Sequence, residues 1–327
     1  MIRKFLIGSL VLFGLIGSLA WIKKGNRKPT PQAAQVVEIP LAAPAKPQPV
    51  APVAKPVQKV AAKVESAPVP AEDLPEVNRI AQLFALDSSK LPFVETVSYT
   101  SRVPWLKGRP AWIADYATYY ATSRHFIARG LNRKLDYFTQ KISPGDRFNV
   151  FRKDKNIAFH LLIDLSRCRM LFYCIDQEAG ERMLLKTYKV GVGRQDSSRA
   201  SGFLTPTGKY LLGEKVAIYK PGTMGFFQDQ KMEMLQVFGT RWIPFDKEIE
   251  GCSENAKGYG LHGAPWVQDA SGQLAEDRSK LGKYDSDGCI RLASEDIEEI
   301  FAIVLTKPTT VELVKDYREA KLPGKEK

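Results

Sequence analysis

The second half of this 327-residue sequence predicts a mainly β domain, and a small α+β region precedes it. Strand-like runs separated by turns begin near residue 157, and one helical pattern follows them after residue 293. The stretch 76–154 instead mixes helix and strand patterns. A domain as long as residues 155–316 can bury a hydrophobic core without disulfide bonds. We therefore expect two folded parts, of which the larger is built from strands.

The N-terminus, residues 1–28, predicts an export signal or a membrane anchor. It starts with Met1-Ile2-Arg3-Lys4, and the 18 residues from Phe5 to Ile22 carry no charge. That run has a marginal length for a membrane span and also suits an export signal. Ser18-Leu19-Ala20 supplies the small residues of a cleavage site, so cleavage stays open, although we favour a retained anchor. The basic residues after the run outnumber those before it, which by the positive-inside rule favours the orientation opposite to export.

Residues 29–75 predict an extended linker. Eleven of the 21 prolines fall in these 47 residues, together with many Ala, Val, Lys and Gln and no aromatic residue. Such a composition cannot bury a hydrophobic core. In polyproline geometry the segment would span on the order of 140 Å.

Residues 76–154 predict a strand, two short helices and a second strand, with a further short helix over 77–84 at the start. Apolar residues recur at helical spacing over Ala111–Tyr120, and Thr122-Ser123 offers an N-cap for the next helix. Ser143-Pro144-Gly145 forms a turn signal that leads into the second strand.

This order, with Leu131-Asn132 after the second helix, is similar to that of a LysM module. Members of that family bind glycans that contain N-acetylglucosamine, so the resemblance implies that the region holds the chain on peptidoglycan. Gly108-Arg109-Pro110 departs from the Gly-Asp-Thr that the family usually has there. Trp105 and Tyr137 are candidates for stacking on sugar faces. The alternative is a degenerate module that serves only for packing.

Beyond residue 157 the strand pattern dominates. A helix is expected from Ser294, with that residue as N-cap and acidic residues in its first turn. The tail, residues 317–327, has no pattern of its own, and we expect its end to be loose. The strand-like segments are Phe159–Asp164, Arg169–Ile175, Leu184–Val192 and Thr310–Val314.

Acyl-transfer chemistry is indicated by the run Ser286-Asp287-Gly288-Cys289-Ile290-Arg291-Leu292 and by His262-Gly263, where the histidine lies 27 residues before the cysteine. Cysteine supplies a nucleophile, and a glycine before it lets the backbone approach a substrate closely. Arg291 is a fixed positive charge that can hold a thiolate or a substrate carboxylate. A cysteine and a histidine that meet in space form a thiol acyl-transfer pair.

The other cysteines and histidines have plainer interpretations. Cys168 and Cys174 fall on one face of a strand about 20 Å apart, too far for a mutual disulfide, and we interpret both as small buried apolar residues. Cys252 stays open as a free thiol, a disulfide partner or a cysteine near the cleft. His125 is interpreted as solvated or capping, and His160 as structural.

Several classes of function are disfavoured. The sequence has no CxxC or HExxH pattern, no phosphate-binding loop, no dinucleotide fingerprint and no GxSxG elbow, so we expect no metal and no cofactor. The net charge of +12 and pI near 9.4 would suit nucleic acid, but no basic stripe carries interleaved aromatics. We expect anionic wall polymers or lipid headgroups instead of nucleic acid.

The motif is specific enough to show a resemblance. Tyr259-Gly260-Leu261-His262-Gly263 followed by Ser286–Leu292 resembles the signature of the L,D-transpeptidase catalytic domain of the YkuD type. Val190–Arg194 and Leu204–Tyr210 resemble the strand-end glycines and the Thr-Pro-x-Gly turn of that family. Many members have histidine where this chain has Asp287, whose negative charge is expected to raise the pKa of the neighbouring thiol. The resemblance covers roughly residues 155–316 and implies a β-sandwich.

The resemblance also implies a mechanism. Cys289 would attack the carbonyl of an L-centre–D-centre peptide bond in a peptidoglycan stem, and His262 would move the proton, with its tautomer fixed by Gly263. Backbone N–H groups of Gly288 and Cys289 would form the oxyanion hole. Arg291 would orient the cysteine loop or bind a substrate carboxylate, and Ser286 and Tyr259 would shape the cleft.

The acyl acceptor stays open after this. An amine of a second stem gives a cross-link, water gives an L,D-carboxypeptidase, and a lysine of a protein gives an anchoring enzyme. A non-catalytic wall-binding protein is the alternative of a different class. In each case the expected location is the cell envelope, outside the cytoplasm, with a membrane contact through the N-terminal segment.

Overall fold

The structure, a computed structural model, describes residues 67–132 and 141–327. The predicted signal or anchor, the linker up to residue 66, and Tyr137 lie outside these ranges. Among the helices that are described, none is long and apolar enough to cross a membrane.

The region before residue 154 has the predicted order of strand, helix, helix and strand. Its two strands pair antiparallel, and Val94 lies opposite Phe151. The Ser123 hydroxyl accepts the His125 N–H at 3.1 Å, so Ser123 caps the second of the two helices as predicted. The elements are α1 (Ile80–Phe84), β1 (Val94–Ser98), α2 (Ile113–Tyr119), α3 (Arg124–Asn132) and β2 (Arg147–Phe151).

This region has a small apolar cluster of its own and also joins the main core. Tyr99, Tyr116 and Phe148 belong to the small cluster. Phe126 and Phe151 are fully buried in the main cluster, which also contains most of the apolar strand residues beyond 157. The α+β region therefore packs directly on the β domain, with shared apolar side chains between them.

The larger part contains a ten-stranded mixed sheet. Its strands follow the order β16-β12-β11-β7-β17-β3-β4-β5-β18, and β8 pairs with β11. The pairs β12–β16, β3–β17 and β5–β18 are parallel, and the other pairs in the sheet are antiparallel. These strands are β3 (Ile157–Asp164), β4 (Arg169–Asp176), β5 (Glu181–Lys189), β7 (Gly208–Leu212), β8 (Ala217–Ile218), β11 (Arg241–Glu250), β12 (Gly260–Gly263), β16 (Ile290–Leu292), β17 (Thr309–Val314) and β18 (Lys325–Glu326).

Short two-stranded pairs and one long helix complete the part. β9 pairs with β10, β13 with β14, and β6 with β15. The remaining elements are β6 (Val192–Gly193), β9 (Met224–Phe227), β10 (Gln230–Glu233), α4 (Leu235–Phe238), β13 (Trp266–Gln268), β14 (Leu274–Glu276), β15 (Tyr284–Ser286) and α5 (Ser294–Val304).

The prediction of a mainly β domain is confirmed, but its strands form one long sheet where a β-sandwich would have two sheets face to face. One sheet is enough to bury an apolar core because other segments of the chain cover both of its faces. Apolar residues of α5 join the main cluster on one face. On the other face, Leu74 and Leu322 join a cluster centred on Leu162 and Leu171.

Two local predictions in this part are wrong. The tail is not loose, because Lys325 lies opposite Glu181 and extends the sheet beyond β5. Ser294 is not the N-cap of α5 but its first residue. Its N–H donates to the Glu276 carboxylate, which contributes the acceptor that a capping side chain would otherwise provide.

Candidate active site

The two halves of the sequence motif meet at the end of the large sheet. Strands β12 and β16 run parallel, with His262 opposite Arg291 and Leu261 opposite Ile290. Continued by one residue, this register places Cys289 opposite Gly260. His262 is then two residues further along the neighbouring strand, so the two α-carbons are about 8 Å apart.

The faces of these strands are set by their apolar residues. Leu261, Ile290 and Leu292 are buried in the main cluster. Because side chains alternate between the two faces of a strand, Cys289 and His262 both project to the opposite face. The register thus brings the Cys289 and His262 side chains onto one surface of the sheet.

His262 is held in a defined orientation. Its side chain is buried, and Nδ1 lies 2.7 Å from the Gly263 carbonyl, as the resemblance implied. A carbonyl can only accept, so Nδ1 carries the proton and Nε2 keeps its lone pair. The ring packs edge-to-face on Phe238 at 5.5 Å, and the Trp242 ring lies 6.0 Å away.

Burial lowers the pKa of His262 from its ordinary 6.5 to about 4. The carbonyls of Gly263 and Phe238 oppose this shift, whereas the positive charge of Arg291 adds to it. The imidazole is therefore neutral at neutral pH, which is the state that a general base needs.

Cys289 is half-buried, and its thiol donates to the Gly258 carbonyl at 3.6 Å. Dense surroundings raise the pKa of the thiol from 9.0 to about 12. The Gly260 backbone and Arg291 act in the opposite direction, and the negative charge of Asp287 adds a smaller rise, as predicted. Cysteine and histidine are thus both neutral at neutral pH.

Gly288 makes possible the turn formed by residues 286–289, which we call the nucleophile turn after the predicted role of Cys289. Its φ of 126° is in the region that favours glycine, and an added Cβ would lie 2.6 Å from Tyr259 Cε1 and 2.8 Å from the Leu204 carbonyl oxygen. Tyr259 therefore packs directly on the turn beside Cys289. The Gly288 N–H donates to the Ser286 hydroxyl at 3.1 Å, so it does not face a substrate as an oxyanion donor. The oxyanion role expected of the Cys289 N–H stays a prediction.

Ser286 has a different position from the one expected of a cleft residue. It is buried, and its hydroxyl donates to the Cys289 carbonyl at 2.6 Å while it accepts from Gly288. The side chain is engaged on both sides of the nucleophile turn. A direct contact of Ser286 with substrate stays a prediction.

The sequence analysis assigned no role to Thr205, although this residue belongs to the Thr-Pro-x-Gly turn within Leu204–Tyr210. Thr205 is fully buried, accepts the Gly193 N–H at 2.7 Å and donates to the Gly288 carbonyl at 2.9 Å. Gly193 leaves no room for a side chain, because an added Cβ would lie 2.5 Å from the Thr205 nitrogen. The signal that could have found Thr205 is its place between a strand-end glycine and a Pro-x-Gly turn.

Two ion pairs involve residues that flank Cys289 in the sequence. Arg291 binds Asp285 at 2.6 Å, and its side chain is largely buried. Arg194 binds Asp287 at 2.5 Å, and both side chains are more than half exposed at the mouth of the site. Arg194 is therefore the more exposed of the two arginines, and the contact of Arg291 with a substrate carboxylate stays a prediction.

The remaining cysteines and histidines lie elsewhere. All four cysteines are within the described residues, and each is a free thiol. Cys168 and Cys174 are buried in the main cluster, as predicted, and Cys252 donates to the Lys209 carbonyl at 3.0 Å. No group of His, Cys, Asp and Glu side chains in residues 67–132 and 141–327 could hold a metal ion.

Two histidines are fixed by packing. His160 is buried with Nε2 3.0 Å from Glu312, which agrees with its structural interpretation. His125 is half-buried, and its ring packs edge-to-face on Phe301 at 5.2 Å, so it is less solvated than expected.

Comparison with known proteins assigns the β part to a family. Residues 158–313 match the model of the YkuD family, the L,D-transpeptidase catalytic domain. This segment of the chain is therefore a YkuD-type L,D-transpeptidase catalytic domain. No curated protein matches the chain.

Solved structures that are similar to this chain include a cell shape determining protein and two L,D-transpeptidases. The helical cell shape determining protein Pgp2 from Campylobacter jejuni is 18% identical, over 53% of this chain and 54% of its own, with a TM-score of 0.33. An L,D-transpeptidase from Xylanimonas cellulosilytica is 15% identical, over 63% and 83%, with a TM-score of 0.26. Mycobacterium tuberculosis L,D-transpeptidase 1 is 14% identical, over 51% and 70%, with a TM-score of 0.24. The chain spans about half the length of the Pgp2 structure.

Proposed function

We propose that this protein is a cysteine-dependent L,D-transpeptidase that cross-links peptidoglycan stem peptides in the cell envelope. The observation that carries the proposal is the register of β12 and β16, which puts Cys289 and His262 on one face of the sheet. The Nδ1–Gly263 contact supports it further, because it leaves Nε2 of the imidazole free to act as a base.

The first half-reaction acylates the enzyme. The Cys289 sulfur attacks the carbonyl carbon of an L-centre–D-centre peptide bond as His262 takes the thiol proton. The Cys289 N–H stabilises the charge that develops on the carbonyl oxygen. The C–N bond then breaks, and the proton on His262 passes to the departing amine. The product is a thioester on Cys289.

The second half-reaction consumes the thioester. A neutral amine of a second stem attacks the same carbon and loses a proton to His262, and an amide bond replaces the C–S bond. The proton then returns to the Cys289 sulfur. No metal or cofactor is needed, because the two resting groups are neutral and supply both the nucleophile and the base.

Incubation of the protein without residues 1–28 with purified sacculi tests the proposal. Digestion with a muramidase and mass analysis should give new cross-linked muropeptides, and a Cys289→Ser variant is the control. Shortened stems without cross-links would favour an L,D-carboxypeptidase, and a stem attached to a protein lysine would favour an anchoring enzyme. Unchanged muropeptides would favour a non-catalytic wall-binding protein.

We propose a glycan contact for residues 76–154, by analogy with the LysM-like order of its elements. The supporting observation is Trp112, whose side chain is 61% exposed, whereas one face of Trp105 is already stacked on Tyr119 at 4.3 Å. Because the region shares a core with the β domain, the test uses the protein without residues 1–28. Trp112→Ala should reduce its retention on sacculi at low salt, and equal retention would leave this region a packing role.

A further inference from the structure

The nucleophile turn is braced by two hydroxyls. Ser286 holds the Gly288 N–H and the Cys289 carbonyl, and Thr205 holds the Gly288 carbonyl. Three of the four backbone polar groups of Gly288 and Cys289 are thus bound by side chains. The fourth is the Cys289 N–H, which neither hydroxyl accepts.

Thr205 acts on that fourth group through the peptide plane. The Gly288 carbonyl and the Cys289 N–H belong to one peptide unit, and in a trans peptide they point in opposite directions. A donor that fixes the carbonyl therefore fixes the direction of the N–H. A hydrogen bond to the carbonyl also polarises the amide and makes its N–H a stronger donor.

Thr205 is itself rigidly placed. It is fully buried, and its hydroxyl accepts the Gly193 N–H at 2.7 Å, so its own proton is directed to the Gly288 oxygen at 2.9 Å. The adjacent Leu204 carbonyl oxygen would lie only 2.8 Å from a Cβ added to Gly288. The nucleophile turn and the segment that contains Thr205 are therefore closely packed against each other.

We propose that Thr205 is a positioning residue that aims and polarises the Cys289 N–H toward the oxyanion. The inference rests on the proposed acyl-transfer function and adds to it a residue that does not touch substrate. Loss of one oxyanion donor typically lowers the turnover number by about 100- to 1,000-fold, so a misdirected donor should cost about 10- to 100-fold.

Thr205→Val tests this, because it keeps the shape and removes the hydroxyl. The acylation rate is measured by intact mass spectrometry of the protein after incubation with a soluble stem tetrapeptide. The reactivity of the Cys289 thiol is measured separately, as its rate of alkylation by iodoacetamide. The Cys289 sulfur displaces iodide from the CH2 carbon of iodoacetamide, so a C–S bond replaces the C–I bond, iodide leaves into solution and no oxyanion forms. We expect acylation to fall about 10- to 100-fold while alkylation of Cys289 stays within about twofold.

Two further variants separate positioning from general stability. Thr205→Ser keeps the hydroxyl and should retain acylation. Thr187→Val is the matched control, because Thr187 is a buried threonine that donates to the Pro75 carbonyl outside the site. It should lower the melting temperature without changing acylation per folded molecule.

Three results would overturn the inference: normal acylation in Thr205→Val, an equal fall of acylation and alkylation, or a tenfold loss in Thr205→Ser. The serine variant decides the question if the valine variant does not fold. Failure of the proposed function itself would be visible in the unmodified protein, as alkylation of Cys289 without any acylation by stem peptides.

Discussion

The large sheet has a cysteine and a histidine on neighbouring strands in two places, at its centre and at its end. At the centre, β3 and β4 pair His160 with Tyr173 and Phe159 with Cys174. The two residues are one step out of register, so their side chains point to opposite faces. At the end, Cys289 and His262 are two steps out of register and share a face. The parity of the register therefore decides which pair has both side chains on one face of the sheet.

The two histidines also differ in the groups that they contact. His160 is buried against the carboxylate of Glu312 at 3.0 Å. His262 lies against the neutral carbonyl of Gly263, and its burial and the positive charge of Arg291 outweigh that carbonyl and keep the imidazole neutral. The central histidine thus contacts a carboxylate, whereas the histidine at the end of the sheet contacts an uncharged carbonyl and keeps a neutral ring, as the proposed function requires.

Exchange of the two cysteines for serine should give the largest contrast. Cys289→Ser should lower transpeptidation by about 1,000-fold or more, because the nucleophile is lost. Cys174→Ser should keep activity per folded molecule and lower the free energy of unfolding by about 1–3 kcal/mol, since it buries a hydroxyl in an apolar cluster. Muropeptide analysis and urea unfolding measure the two effects. Full activity of Cys289→Ser, or a carbapenem adduct on Cys252, would show that the nucleophile lies elsewhere.

The two histidines should separate in the same way. His262→Gln should slow acylation by about 100- to 10,000-fold, the usual contribution of a general base. His160→Gln should leave acylation unchanged per folded molecule and cost about 1–3 kcal/mol of stability, because Glu312 loses a buried partner. Stopped acylation assays and thermal melting distinguish them. Near-normal acylation in His262→Gln would require another base.

The pH dependence should reflect burial of the base. With the pKa of His262 lowered to about 4, acylation at pH 5.5 should be close to its rate at pH 7. A histidine with the ordinary 6.5 would lose about tenfold over that interval. Because the folded state resists protonation that the unfolded chain accepts, His262 also makes stability fall as pH drops from about 6.5 to about 4. An acid limb centred near pH 6.5 would contradict the buried, neutral imidazole.

The candidate site could be located from the sequence, whereas the single large sheet could not. Cys289, His262 and Gly263 could be chosen as candidates because their flanks and spacing resemble one family motif, and the structure places Cys289 and His262 on one face. The strand and helix types were also accessible, since the apolar periodicity over β3, β4 and α5 is strong.

The remaining features depend on distant contacts. The residues next to Ser294 in the sequence do not indicate that the Ser294 N–H donates to Glu276 on strand β14. Likewise, the residues next to Lys325 do not indicate that Lys325 pairs with strand β5. The hydroxyl of Thr205 meets the Gly288 carbonyl across 83 residues of chain, so its role appears only when the strands are assembled. Register and faces, which decide the comparison of the two cysteine–histidine neighbourhoods, are tertiary properties that local patterns leave open.

The smallest expected effect concerns the mouth of the site, where Asp287 replaces the histidine of many family members. Its negative charge is a minor contributor to the raised pKa of Cys289, and burial is the main one. Asp287→Asn should therefore speed iodoacetamide alkylation of Cys289 by less than about threefold at fixed pH. Glu254→Gln is the matched control, because it breaks the exposed Arg199–Glu254 pair without removing a charge next to Gly288. A tenfold or larger acceleration in Asp287→Asn alone would mean that charge, and not burial, keeps the thiol protonated at the end of the sheet.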